Sequence, residues 1–128
     1  MDIDSPPDAQ LRLPADSAYL AVLRSATAGL AARINFTLDD IEDLRIAVDE
    51  ACAILLPQAA PDTQLDCTFW LGGATMTVAV GATCTEPRQP SEQGFAWRVL
   101  TALTTHARSE VHDDRLVLTL SRSAGQHP

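Results

Sequence analysis

The stretch Asp39–Leu56, DDIEDLRIAVDEACAILL, decides how this chain folds. Ile41, Leu44, Val48, Cys52 and Leu55 recur at helical spacing and form one apolar stripe. Ile46, Glu50 and Ile54 stand four apart on roughly the opposite side. A helix with two apolar faces is sandwiched or lines a pocket, and a carboxylate on the second face then needs a reason. Thr37-Leu38-Asp39-Asp40 reads as a capping-box start. Asp39, Asp40, Glu42 and Asp43 crowd the first turn, where the helix dipole favours negative charge. Pro57 closes the helix.

Working outward, Leu11 and Leu13 alternate in a short strand ending at Pro14. Asp16 or Ser17 can cap a first helix carrying Leu20, Leu23, Thr27, Leu30 and Ile34 inward, with Arg24 and Arg33 reaching solvent. Beyond Pro61 and Asp62 the period changes to two. Leu65, Cys67, Phe69 and Leu71 alternate with Asp66, Thr68 and Trp70, and after Gly72-Gly73 Met76, Val78 and Val80 alternate with Thr75, Thr77 and Ala79, which makes a hairpin. Residues 81–94 form a polar loop with two prolines. Phe95, Val99, Ala102, Leu103 and His106 resume helical spacing. Ser109–His112, a turn at Asp113-Asp114 and Leu116, Leu118 and Leu120 give a last hairpin. Residues 1–9 and 123–128 read as disordered tails around one domain, 10–122. The order predicts an α+β fold: a two-layer sandwich in which a mixed, mostly antiparallel sheet carries three helices on one face.

Composition narrows the function. The 128 residues suit one domain, and 46% hydrophobic with 20% charged residues marks a globular chain. A net charge of −8 argues against binding a nucleic-acid backbone and permits a basic protein partner. No apolar run is long enough to span a membrane, and the acidic, Pro-rich start lacks the pattern of a secretion signal, so the expected location is cytoplasmic. Cys52, Cys67 and Cys84 are odd in number and widely spaced, as reduced buried thiols are, and His106, His112 and His127 show no metal-ligand spacing relative to them. No metal site is expected.

With these elements in order, the chain resembles the GHKL, or Bergerat-type, histidine-kinase-like ATPases, and among them the bacterial anti-sigma factor serine kinases. DLRIAVDEACAILL is similar to the family's N-box helix, LxxAVxEAxxNA, and GFAWRVLTAL from Gly94 is similar to its second glycine box, GxGLxLIxxL. The resemblance places Glu50 at the general base for an attacking hydroxyl, a role helped by partly apolar surroundings. It places Ile54 where the family's magnesium-holding Asn stands, and isoleucine offers no oxygen to an ion that demands oxygen ligands. Of the first glycine box, DxGxG, the stretch Val78–Thr83 keeps only Gly81 and lacks the adenine-reading Asp. The second box keeps Gly94 but has Ala96 and Trp97 where Gly and Leu are expected, and a Cβ at Ala96 obstructs phosphate approach. Arg88 is the loop's one basic residue.

The resemblance, most similar to actinobacterial forms with a degenerate nucleotide site, implies an anti-sigma factor that sequesters an RNA polymerase sigma factor. An anti-anti-sigma protein of STAS type then releases it, with no kinase activity, no cofactor and a homodimer as a further partner. Tyr19 and Arg24 on the first helix are the candidate contacts, since exposed Arg beside an apolar stripe suits an interface. Two alternatives stand beside it: an active serine kinase using ATP and Mg, with Glu50 as base, and a small-molecule sensor reusing the emptied pocket.

Overall fold

The computed structural model describes residues 5–125. Five strands and three helices follow in order: β1 (Ala9–Pro14), α1 (Leu20–Ala31), α2 (Leu38–Leu55), β2 (Gln64–Gly72), β3 (Thr75–Thr83), α3 (Phe95–Ala102), β4 (His106–His112) and β5 (Arg115–Ser123). The sheet runs β1-β2-β3-β5-β4 and every pairing in it is antiparallel. The expected α+β architecture is present, with a wholly antiparallel sheet in place of the mixed one expected. Of the expected tails, residues 1–4 and 126–128 lie outside the described residues, and β1 and β5 extend to Ala9 and Ser123.

The core lies between the helices and one sheet face. Leu44, Val48, Cys52 and Leu55 of α2 are buried, as their spacing predicts, with Ala47 and Ala51 beside them. They meet Phe69, Met76, Val78, Val80, Leu116, Leu118 and Leu120 from the strands. The three cysteines are buried and free, and burial pushes the thiols of Cys52 and Cys67 up to about 12.

Local chemistry sets the element ends. Thr37 Oγ1 accepts from the Asp40 N–H at 3.1 Å while Asp40 Oδ2 accepts from the Thr37 N–H at 3.0 Å, a reciprocal cap that starts α2. Thr37→Ala should cost about 1 kcal/mol, readable in urea denaturation. The β2–β3 hairpin turns at Gly73, whose φ of +60 a side chain would oppose. The β4–β5 turn uses Asp113 at φ 55, a residue type that tolerates this region.

Several expected boundaries move. α1 ends at Ala31, so Ile34 lies in the following turn, and Ser17–Tyr19 form a short 3-10 turn capped by Asp16. β3 continues through Thr83, because residues 81–83 pair with Arg115–Val117 of β5, so the loop spans only 84–94. β4 begins at His106, which is therefore not a helical residue. α3 is also turned from its expected setting. Phe95 is 78% exposed, while Leu100 is buried and Trp97 and Leu103 pack on the core.

Candidate functional site

The second face of α2 carries the residues that the sequence singles out. Glu50 and Ile54 stand one helical turn apart and both are half-buried. Glu50 makes no hydrogen bond or ion pair among the described residues. Ile54 packs against the core, and its backbone carbonyl accepts from Gln58 Nε2 at 3.1 Å. α3 lies against α2, with Gly94 as its N-cap residue and Ala96 half-buried in its first turn. The Gly94 N–H donates to the Ser91 carbonyl at 2.9 Å. A Cβ at Gly94 would come within 3.1 Å of that same carbonyl.

Gly81 does not join this group. It sits inside β3 on the sheet face away from the helices, where an added Cβ would meet Arg115 Nη2 at 2.8 Å and Val117 Cγ2 at 3.0 Å. The missing side chain lets Arg115 lie across the strand and reach Asp66 Oδ2 at 3.2 Å, while Arg12 holds Asp66 Oδ1 at 2.8 Å. The residue is therefore explained by ion pairing on the outer face and not by a nucleotide loop.

The donor chemistry does not fit a magnesium nucleotide. At the position that the resemblance assigns to the metal ligand stands the aliphatic Ile54, and the first turn of α3 carries a Cβ at Ala96. Among the described residues no group of three or more His, Cys, Asp or Glu is placed to hold a metal ion.

Arg24 departs from the free, solvated residue expected. Its Nε donates to Asp49 Oδ1 at 2.8 Å and to Oδ2 at 3.1 Å, joining α1 to α2. The side chains remain 40% and 35% exposed, and the pair uses only Nε, which leaves the end of the guanidinium for another acceptor. The pair stands on the rim of an open groove of about 530 Å³ lined by Leu20, Cys52, Ala53, Leu56 and Pro57. Tyr19, 42% exposed, is the N-cap residue of α1 and is not among the residues lining the groove. Asp49 was legible only as the residue before Glu50, since a pairing across 25 positions leaves no local pattern.

A second polar centre ties the layers together. Arg122 of β5 and Asp40 of α2 are both buried. Asp40 Oδ1 accepts from Arg122 Nε at 3.3 Å and from Nη2 at 3.0 Å, and Nη2 also lies 3.1 Å from Asp43 Oδ2. Arg122 Nη1 donates to the Leu103 carbonyl just beyond α3 at 2.7 Å. Burial pushes the Asp40 carboxyl up, but hydrogen bonds from Thr37, Arg122 and Gly125 outweigh it and hold the pKa at about 2.

No family model matches the chain. It is similar to the serine-protein kinase RsbW of Bacillus cereus, 36% identical over 63 residues, which are 49% of this chain and 39% of that protein. It is likewise similar to the serine-protein kinase RsbW of Bacillus velezensis, 42% identical over 53 residues, or 41% of this chain and 33% of that protein. The chain thus spans well under half the length of these curated relatives. A solved structure of the RsbU and RsbW domains of a Mycobacterium tuberculosis protein matches with a TM-score of 0.72. That match covers 93% of this chain and 32% of the other at 18% identity, and it shows the fold. Sequence and structure agree on a histidine-kinase-like fold of the RsbW type.

Proposed function

We propose that this chain is a protein-binding module that captures a sigma factor and yields it to an anti-anti-sigma antagonist, without transferring phosphate. The likeness to the RsbW proteins supports the class of function. The observation that carries the loss of catalysis is Ile54, an oxygen-free side chain one turn from Glu50 on the face where the nucleotide metal would be gripped. Phosphoryl transfer relies on such an ion to neutralise charge on the phosphates. The capture surface is the start of α1, with Tyr19 exposed and the end of the Arg24 guanidinium presented beside the α1–α2 groove. The module works in the cytoplasm, alone or as a homodimer. No helix among the described residues is long and apolar enough to cross a membrane.

Co-purification of the chain from its native cells, with identification of the bound polypeptides, tests this reading. Recovery of an RNA polymerase sigma subunit in near-equal amount is the expected result, and its absence from the bound fraction would sink the proposal. Millimolar Mg-ATP should leave the melting midpoint unchanged within about 1 °C, because a ligand that binds the folded state must raise it. A rise of several degrees would favour the kinase reading, in which Glu50 serves as base.

A further inference from the structure

Residues 84–94 join the end of β3 to the start of α3, and they are fastened at several points. The Thr85 N–H donates to the Gln58 carbonyl at 3.2 Å. The Arg88 N–H donates to Gln58 Oε1 at 2.8 Å. Gln58 Nε2 in turn donates to the Ile54 carbonyl at 3.1 Å. Farther along, Ser109 Oγ of β4 donates to Gln89 Oε1 at 3.3 Å, and Gly94 and Gln93 donate to Ser91. Pro87 and Pro90 reduce the conformations the segment loses by being held.

Gln58 is chemically matched to its place. A carboxamide carries a donor and an acceptor a fixed distance apart. Its donor satisfies a carbonyl in the last turn of α2, which has no helical partner, and its acceptor takes an amide from the loop. The reversed amide would set NH₂ against N–H and oxygen against oxygen, so the two bonds fix one orientation.

We infer that Gln58 is a latch that holds residues 84–94 as a fixed strap against the end of the helix bearing Glu50 and Ile54. This deepens the non-catalytic reading and rests on it for its purpose, while its evidence is the bonding of Gln58 itself.

The test uses the full chain. In the wild type, hydrogen exchange at the Arg88 amide should be at least about tenfold slower than in an unstructured peptide. Gln58→Ala removes both side-chain bonds. It should abolish most of that protection and speed tryptic cleavage after Arg88 by about tenfold, with the melting midpoint moving only a few degrees. Gln58→Glu keeps the acceptor for Arg88 but loses the donor to Ile54, and should fall between the two. If the alanine variant does not fold, the glutamate variant supplies the comparison. Wild-type Arg88 exchanging at the unstructured rate, or cleavage unchanged in a folded variant, overturns the latch. Binding of Mg-ATP would overturn the non-catalytic reading and leave the Arg88 protection as a separate result.

Discussion

Replacing Arg122 with alanine should cost about 3–5 kcal/mol of folding stability and lower the melting midpoint by about 10 °C or more, as read by urea and thermal denaturation. The guanidinium is 3% exposed and serves two carboxylates and a carbonyl at once. Removing it leaves Asp40, fully buried, with a charge that burial penalises and without its guanidinium partner. The same pair dictates the acid limit of the fold. The carboxyl of Asp40 stands at about 2 in the folded chain against an ordinary 3.8, so the folded state holds its proton less tightly than the unfolded one. Its contribution, about 2 kcal/mol, is complete above pH 4 and drains away as pH falls through 2. In Arg122→Ala this acid-dependent loss should shrink, because without the guanidinium the folded-state pKa of Asp40 moves back toward its unfolded value and less stability remains to be lost on protonation. A variant as stable as the wild type at neutral pH would show that the pair does not hold the layers together.

The second large effect concerns capture rather than folding. Arg24→Ala should weaken binding of the co-purified sigma subunit by about thirtyfold, near 2 kcal/mol, measured by calorimetry on purified components. Its stability should change by less than about 1 kcal/mol, since the pair with Asp49 is partly exposed and screened by solvent. This split between affinity and stability distinguishes a contact residue from a structural one. Lysine at the position should restore little, because a point charge cannot reproduce the forked geometry that grips Asp49 through Nε and offers the remaining nitrogens outward. Full affinity in a folded Arg24→Ala protein would move the capture surface elsewhere.

Periodicity made most of the fold legible. Leu44, Val48, Cys52 and Leu55 face the core as their spacing requires, and the alternation in β2, β3 and β5 marks the side of the sheet that the helices cover. Thr37 and Asp40 announced the start of α2 because capping is a local interaction. What failed was decided at a distance. Gly81 opens the expected polar loop, yet β5 pairs alongside it and the residue is small because Arg115 must cross it. Phe95 satisfied helical spacing, but α3 is only two turns long, and its roll is set by Trp97, Leu100 and the Arg122 bond to Leu103. Arg24 was readable as a surface residue and not as half of an ion pair. Arg122 fell at the edge of an expected tail, and nothing near it in the chain announces a partner 82 positions away. Glu50 and Ile54 were legible together because one helical turn separates them, and the same locality hid Gln58, whose importance lies in a loop amide 30 positions onward.

The three sealed thiols leave the molecule chemically quiet toward alkylating reagents at neutral pH. A cysteine introduced at an exposed position such as Val22 would then be the preferred target for a maleimide dye. The wild-type chain can thus be turned into a fluorescent reporter of partner encounter by one substitution, without first stripping its core of sulfur.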